Sequence, residues 1–461
     1  MVPPHLIMVS MPRFVWKSTS RTRKAFCLAT ALSASVLSSN AHAQGSASLG
    51  NGLSAAAIAR GGSTVSERAA VLDAAQGNPA GFSGITAPTL DFGALGLYAS
   101  GTFTNAANPD AKLRGLAGAL PFGAFATPIG HSPYVFSAAV TPEILIRANW
   151  HYNDTPGTAG VDYGYQQQET EIIAIRSAIG VARSFTPHLS AGINLGLVYN
   201  HNDLHAPYIF QEQPALAGLK VLLGLNTAGY GWNGAAGVQY QPTARIRTGL
   251  AWKSGTTLRT QGDANGSASA LFTALGLNVD PTFHYHAQVQ NHLPQAFDAG
   301  LSWQIPHHIT LAFEGDFTAW GQAFQQLPIT LTGGTNATIN SVVGADHFND
   351  AVPLHWSNQG AFHGGVEVPV HEAWTLRAGY SYMNNPVPNS TLLPLTAAIM
   401  QNAIATGAGW SHGRWHYDAA YQAQLPATQS VGKSAILAGE YDNSRVRVST
   451  QSLTLTARVK F

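Results

Sequence analysis

The sequence predicts an antiparallel transmembrane β-barrel, and three observations carry this prediction. Charged residues make up only 10% of the 461 residues, whereas soluble domains carry about 25%. No stretch reaches the ~20 apolar residues that a membrane helix requires. Instead, apolar and polar residues alternate one by one in segment after segment, which is typical of strands with lipid on one face and a polar lumen on the other.

The first 43 residues have the pattern of a secretory signal. Five basic residues precede an apolar run at 25–37, and Ala41-His42-Ala43 supplies a small-x-small cleavage pattern. A mitochondrial presequence or a buried helix is the alternative. Cleavage removes Cys27, the single cysteine, and leaves 19 of the 24 basic residues against 23 acidic ones. This balance gives no basic footprint for nucleic acid.

Residues 44–89 differ from the rest of the chain because they are rich in Ala, Gly and Ser and show no strand alternation. They precede the first predicted strand and therefore start on its periplasmic side. We expect them to fold into the barrel as a hatch, or plug, as happens in some barrels. A disordered leader is the alternative.

Residues 90–461 are predicted to form the barrel, with fourteen strands. The strands are expected to begin near Leu90, Leu113, Tyr134, Glu169, His188, Tyr230, Ala244, Pro294, His308, Ser357, Ala373, Asn402, Arg414 and Ser449. Short turns alternate with long segments without clear alternation, as in barrels with short periplasmic turns and long outer loops. The predicted outer loops are 201–229, 257–293, 320–356, 385–401 and 425–448. An aromatic final residue, Phe461, fits the signal that the barrel-assembly machinery reads.

Several motifs, in order along the chain, resemble the FadL-type long-chain fatty acid and hydrocarbon transporters of the outer membrane. Asn78, Pro79 and Ala80 resemble the Asn-Pro-Ala motif of the family's hatch, and 374–380 with 385–388 resembles its "WTLRAGY…PVP" segment. Further matches are Leu293-Pro294 with the two strands that follow, and the region from Tyr421 to the end. The resemblance covers residues 50 to 461.

The resemblance implies a fourteen-stranded barrel with a hatch in the lumen and a hydrophobic groove on two outer loops. Ligand would be captured in the groove, pass to an inner pocket and leave sideways into the bilayer through a kinked third strand. Pro142 is the candidate for that lateral gate, because proline removes a ladder hydrogen bond. An edge irregularity or a misplaced turn is the alternative.

Two predicted outer loops are unusually apolar and are candidates for the capture groove, because exposed apolar patches usually bind something. The groove candidates are Phe210, Leu216, Leu219, Leu222, Leu223, Leu271, Phe272 and Leu275. The alternative is that these loops only pack on each other.

A fatty acid also needs a cation or hydrogen-bond donors for its carboxylate. By alternation, four basic side chains point into the lumen and are candidates: Arg176, Arg247, Lys253 and Arg377. The alternative is that they pair with lumen acids such as Glu314, Asp316 and Glu367. If the site lacks a free cation, a neutral hydrocarbon becomes the better substrate.

No nucleophile elbow, phosphate loop or paired-carboxylate motif is found, and His284 and His286 alone do not make a metal site. The sequence therefore predicts a monomeric outer-membrane protein without cofactor, metal or catalytic residues, surrounded by outer-membrane lipid and lipopolysaccharide. Passive uptake of long-chain fatty acids is the first hypothesis, and uptake of aromatic or aliphatic hydrocarbons is the second. An outer-membrane hydrolase, a general porin and a structural or adhesive barrel are the alternatives from other classes.

Overall fold

The computed structural model describes residues 52–114 and 116–461, so the predicted signal peptide and the start of the predicted hatch lie outside the described residues. In the described part, nineteen strand segments form one antiparallel sheet that closes on itself. The segments are β1 Thr89–Thr104, β2 Ala111–Lys112, β3 Leu116–Pro128, β4 Tyr134–Asn153, β5 Tyr165–Ser184, β6 Leu189–Ile209, β7 Lys220–Thr243, β8 Ile246–Lys253, β9 Thr256–Ser267, β10 Thr282–Leu293, β11 Ala296–Gln304, β12 Thr310–Thr318, β13 Gln326–Thr332, β14 Phe348–Pro353, β15 Gln359–His371, β16 Trp374–Met383, β17 Asn402–His412, β18 Trp415–Ser430 and β19 Arg445–Lys460.

These segments make fourteen barrel strands, as predicted. β8 with β9 and β10 with β11 are each one barrel strand interrupted by two residues, while β2, β13 and β14 are accessory pieces at one end. The barrel closes where β1 pairs with β19 over sixteen residues, from Thr89 opposite Lys460 to Thr104 opposite Arg445. This closure pairs the first strand with the last one, so neither of them leaves an edge in hydrocarbon, where an unpaired backbone group is costly.

Short connections gather at one end of the barrel, which we call the turn end. Two residues join β7 to β8, β15 to β16 and β17 to β18 there, and Gly413 adopts the left-handed conformation (φ +58°) that the last of these tight turns requires. The opposite end, called the loop end, carries the long connections. This short-long rhythm is the one that the sequence predicts.

The outward face carries an apolar band with aromatic residues at its margins. Near the turn end, Trp374 stands beside Trp410, and the latter stacks on Tyr417. Near the loop end, Tyr199 contacts Tyr230. Aromatic girdles of this kind mark the two lipid–water interfaces of a membrane barrel. In the described part of the chain, no helix is both long and apolar enough to cross a membrane.

Two predicted outer loops are largely strand, which corrects their assignment. β6 and β7 run through most of 201–229 as one hairpin and leave only ten residues between them, and β9 and β10 cover most of 257–293. The prediction was wrong there because the alternation becomes irregular above the lipid, around Pro207-Tyr208-Ile209-Phe210. Five short helices complete the described fold: α1 Ala55–Ala59, α2 Val71–Gln76, α3 Ser269–Ala274, α4 Trp320–Ala323 and α5 Ala337–Val343.

Candidate functional site

Residues 52–88, which we call the N-terminal segment, lie against the inner face of the barrel near its turn end. Asn78 is fully buried, and its side-chain amide donates to the carbonyl oxygens of Val65, Val238 and Leu250 at 2.9, 3.0 and 3.2 Å. Its side-chain oxygen accepts from the backbone N–H of Ala80 (3.0 Å) and caps a turn that begins at Pro79. The Asn-Pro-Ala motif therefore joins the segment to β7 and β8.

The barrel also binds the backbone of the segment. Glu314 on β12 accepts from the backbone N–H groups of Thr64 and Val65, both at 2.7 Å. On β16, a Cβ at Gly379 would overlap the backbone of Gly61, so only glycine allows this approach. At the closing seam, Arg458 binds Asp91 through two nitrogens at 2.7 and 2.8 Å, and Asp91 accepts from the N–H of Val71.

A buried charge network surrounds Arg60 of the segment. Its guanidinium lies 3.1 Å from Glu367, 3.5 Å from Asp73 and 3.6 Å from Glu67. Burial opposes its charge, but the three carboxylates raise the pKa of Arg60 above its ordinary value. Burial also raises the pKa of Asp73 to about 6 despite the nearby guanidinium.

Of the four predicted carboxylate-binding cations, two are bound to this region. Arg377 donates to Glu367 at 2.6 Å and to Asp418 at 2.8 Å, and its side chain is only 6% exposed. Arg247 donates to the carbonyl oxygen of Ser66 at 3.4 Å. Both cations point into the lumen as expected, but they contact the N-terminal segment or lumen acids at the turn end.

The other two cations, Arg176 and Lys253, meet one carboxylate, Glu143. Glu143 lies 3.4 Å from the Nε of Arg176 and 2.9 Å from the Nζ of Lys253. Arg176 also donates to Asn194 and Asn233 at 2.5 and 2.6 Å. The pairing with lumen acids that was the alternative reading for these cations is therefore present, although the acid is one that the sequence reasoning did not single out.

A mainly apolar cavity, which we call the upper chamber, lies nearer the loop end. Its wall comes from side chains of β5, β6, β7 and β10, from the accessory strands β13 and β14, and from four connections at the loop end. Apolar lining residues include Ile172, Leu204, Ile209, Leu354, Leu395 and Ile436, and the polar ones include Thr170, Asn202 and Asn291. Of the described residues that line it, none is Lys, Arg or His.

The connection between β16 and β17 supplies part of this wall, which the sequence reasoning missed. Leu392, Leu395, Ile399 and Met400 are nearly fully buried, and the indole N–H of Trp150 donates to the carbonyl oxygen of Pro394 at 3.1 Å. An available signal was the density of large apolar residues from 392 to 400 in a segment assigned as an exposed loop.

The predicted capture groove is a closed apolar cluster rather than an open one. Four of the eight candidates, Phe210, Leu216, Leu223 and Leu271, line a second, small cavity beside the upper chamber. Phe272 is buried in the same cluster, and Leu219 packs against it. The two exceptions are Leu222, which is half-buried on β7, and Leu275, which is 55% exposed. The strands of both hairpins hold this cluster above the membrane.

The barrel wall is incomplete between β3 and β4. Their described pairing covers only 123–128 opposite 135–140, while β3 continues to pair with β1 and β4 continues to pair with β5. Further out, a single bridge joins Leu113 to Trp150. We call the unpaired stretch between these two points the wall gap.

Pro142 lies two residues beyond the last paired residue of β4 at the wall gap. The β4–β5 register shifts between Pro142 and Ile144, so Glu143 is the extra residue of a β-bulge. Before the bulge odd-numbered residues such as Thr141 are buried, and after it even-numbered residues such as Ile146 are buried. The predicted irregularity in the third barrel strand therefore exists and coincides with the start of the wall gap.

Three outer connections meet at a buried ion cluster near the upper chamber. The Nζ of Lys220 lies 2.7 Å from both Asp154 and Glu440, and all three side chains are at most 1% exposed. Burial raises the pKa of Glu440 to about 7 although the lysine opposes this. Next to them, burial raises the pKa of Tyr163 to about 12. Among the described residues, no group of three or more His, Cys, Asp or Glu side chains has an arrangement suited to a metal ion.

A family model described as "Outer membrane protein transport protein (OMPP1/FadL/TodX)" matches residues 34–461. No curated protein sequence matches the chain.

Solved structures show the same fold. A Pseudomonas aeruginosa FadL homologue aligns with a TM-score of 0.69 at 17% identity, covering 89% of this chain and 98% of that one. The Pseudomonas putida toluene transporter TodX gives the same four values. The Ralstonia pickettii toluene transporter TbuX aligns with a TM-score of 0.68 at 16% identity, covering 89% and 99%. At these identities the likeness establishes the fold alone.

Proposed function

This chain belongs to the OMPP1/FadL/TodX family of outer-membrane transport proteins, and we propose that it takes up neutral hydrophobic molecules such as small aromatic or aliphatic hydrocarbons. Membership gives the location, the outer membrane, and the general activity, transport of hydrophobic compounds rather than catalysis. The observation that carries the narrower proposal is the upper chamber, whose described lining contains no cation.

Charge compensation in the lumen supports this choice. Each of the four inward cations considered above already binds protein acceptors: a carboxylate for Arg176, Lys253 and Arg377, and a carbonyl oxygen for Arg247. A fatty acid carboxylate would have to displace one of these partners. A neutral hydrocarbon needs only apolar surface, which the chamber offers at roughly 25 cal/mol per Å² buried.

A route follows from the order of the features along the barrel. Ligand enters among the outer connections and rests in the upper chamber above the N-terminal segment, which serves as the hatch of residues 44–89. It then leaves sideways through the wall gap into the outer-membrane lipid, with the bulge at Pro142 keeping the gap open. We expect the protein to act as a monomer among lipopolysaccharide molecules after folding by the barrel-assembly machinery.

Long-chain fatty acids are the second candidate, and one observation favours them. The side chains of Thr170, Gln211 and Thr396 bring hydrogen-bonding groups to a mainly apolar chamber, and the buried hydroxyl of Thr396 has no partner among the described residues. Amides and hydroxyls can bind a carboxyl group, although more weakly than a cation does.

Uptake by cells tests both candidates. Cells that lack the barrel are compared with cells expressing it, using labelled toluene and labelled oleate. We expect the barrel to raise toluene uptake much more than oleate uptake; preferential oleate uptake would select the second candidate, and no change for either would remove both.

The proposed exit is tested with Pro142→Val, which restores a backbone donor to β4 and narrows the gap. We expect toluene uptake to fall severalfold. The matched control is Pro369→Val, because Pro369 lies beside the register shift of β15 with β16, away from the gap. Equal uptake by both variants would place the exit elsewhere.

A further inference from the structure

The charge cluster of Glu143, Arg176 and Lys253 lies between the upper chamber and the N-terminal segment. Along the inner face of β6, Gly192 contacts Pro79 of the segment, Asn194 binds Arg176, and Asn202 lines the chamber. On β5, Arg176 is two inward residues from Ile172, which lines the chamber, and successive inward residues of a strand are about 6–7 Å apart, so the cluster lies about 13 Å below the chamber lining. It is also beside the wall gap, because Glu143 is the bulged residue of β4.

Glu143 continues the odd-numbered inward face that β4 has before the bulge, and the bulge brings the next residue inward as well. Glu143 and Ile144 are adjacent in sequence, yet both are buried, which regular alternation does not allow. Without the extra residue, only one of these two neighbouring side chains would face the lumen. The carboxylate therefore faces the lumen at the bulge itself, three residues beyond the last β4 residue that pairs with β3.

Glu143 is the only carboxylate that the described contacts place within 4 Å of these two cations. Arg176 keeps two amide acceptors, Asn194 and Asn233, but neither carries charge. Lys253 also interacts electrostatically with the carboxyl group of Asp298. The side chains of Glu143, Arg176 and Lys253 are 4%, 2% and 12% exposed, so water screens their charges little.

We propose that Glu143 is a specificity-determining residue. Its carboxylate pairs with Arg176 and Lys253 on the lumen side of the wall gap, so neither cation is available to bind the carboxylate of a ligand. The proposal rests on the proposed uptake of neutral molecules and names the residue that enforces it. An anionic ligand on its way from the chamber to the gap meets two cations that are already neutralised. Removing the negative charge of Glu143 at constant shape turns the same place into an anion site.

The test compares two ligands that differ only in the head group, dodecanol and dodecanoate, at a pH where dodecanoate is ionised. Binding to the purified full chain in detergent is measured for wild type and for Glu143→Gln. We expect dodecanoate to bind Glu143→Gln about tenfold more tightly than wild type, the change expected for one new charge-assisted hydrogen bond. Dodecanol binding should stay the same. Glu372→Gln, in the exposed turn before β16, is the control for a lost surface charge.

Further variants separate charge from shape. The double variant Glu143→Gln with Lys253→Gln loses one acid and one base and leaves Arg176 uncompensated. It should keep part of the increase in dodecanoate affinity. Adding Arg176→Gln should abolish it. Heat-modifiable migration in electrophoresis shows which variants fold as barrels. If folded variants with one or two uncompensated cations bind dodecanoate no better than wild type, the proposal is overturned.

If none of these variants folds, the wild-type protein still tests the proposal. Equal affinity for dodecanol and dodecanoate would mean that the cations remain available and would overturn it. Failure of the proposed function has a different signature. It would appear as absent toluene uptake by wild-type cells, whatever the Glu143 variants bind.

Discussion

The two halves of the lumen differ in the side chains that line them: charged and hydrogen-bonding groups at the turn end, and mainly apolar groups at the loop end. At the turn end, the N-terminal segment is fixed by buried ion pairs and by hydrogen bonds to its backbone, such as the two that Glu314 accepts from Thr64 and Val65. At the loop end, most side chains that line the upper chamber and its neighbouring cavity are apolar, and none is a cation. The wall gap lies between the two.

This contrast fits the proposed function, in which the barrel blocks polar solutes and passes a hydrophobic molecule. Directed hydrogen bonds hold a segment in one position, because an unpaired buried donor or acceptor costs about 1–3 kcal/mol. Apolar contacts are not directional, so a ligand can move among them at little cost. On the proposed route, a molecule that binds in the apolar half and does not pass the polar half leaves sideways.

The largest expected effect comes from breaking the fit at the turn end. In Gly379→Val, the new side chain overlaps the backbone of Gly61 and forces the N-terminal segment away, at a cost of about 1–3 kcal/mol. We expect higher ion conductance in planar bilayers and easier entry of polar antibiotics into cells. Ala378→Val, one residue away on the lipid-facing side of β16, is the control and should behave as wild type. Unchanged conductance in Gly379→Val would show that the segment does not close the lumen.

Filling the apolar half should have a smaller effect of the opposite kind. Ala206 lines the upper chamber, so Ala206→Trp takes up space that a ligand needs. Toluene uptake should fall severalfold while ion conductance stays low. The matched control is Ala299→Trp, which places the same side chain on the lipid-facing side of β11. If both variants transport normally, the chamber is not on the route.

The smallest expected effect concerns the outer ion cluster that borders the chamber. The pKa of the Glu440 carboxyl group is raised from 4.5 to about 7. The folded connection between β18 and β19 therefore binds the proton of this group more tightly than the locally unfolded connection does. Its contribution to stability is fully present below pH 4.5 and is lost as the pH rises through about 7, a change on the order of 1–3 kcal/mol. Hydrogen exchange of 431–444 should therefore be slower in acid than the chemical rate alone predicts.

Glu440→Gln should remove this pH dependence, because the amide does not titrate. Glu212→Gln, which changes an exposed carboxylate on a neighbouring connection, should leave it unchanged. Exchange that responds to pH equally in all three proteins would mean that another group is responsible.

The contrast between the halves also shows how far the sequence alone could lead. The fourteen strands were predictable because lipid on one side and water on the other impose a period of two on every membrane-crossing segment. The same rule placed Arg176, Arg247, Lys253 and Arg377 in the lumen. Above the lipid that constraint ends, so the hairpins of β6 with β7 and β9 with β10 were assigned as loops.

Partnerships in the lumen were not predictable from the sequence. Arg60 and Glu367 are 307 positions apart, and only barrel closure brings them together. Glu143 is adjacent to Pro142, which was singled out, but its two cationic partners lie on β5 and β8, and the bulge that follows it reverses the orientation of every later residue of β4. Local patterns fix which face a side chain takes, whereas the partner on that face depends on the register of distant strands.

The central claim, that neutral hydrophobic molecules reside in the upper chamber before leaving sideways, is tested most directly by a crystal structure with bromobenzene, whose bromine is located by its anomalous scattering. The account predicts bromine signal within the chamber, among side chains such as Ile172, Leu204 and Leu395. Signal confined to the lipid-facing surface, or a lumen open from end to end through the place of the N-terminal segment, would contradict it.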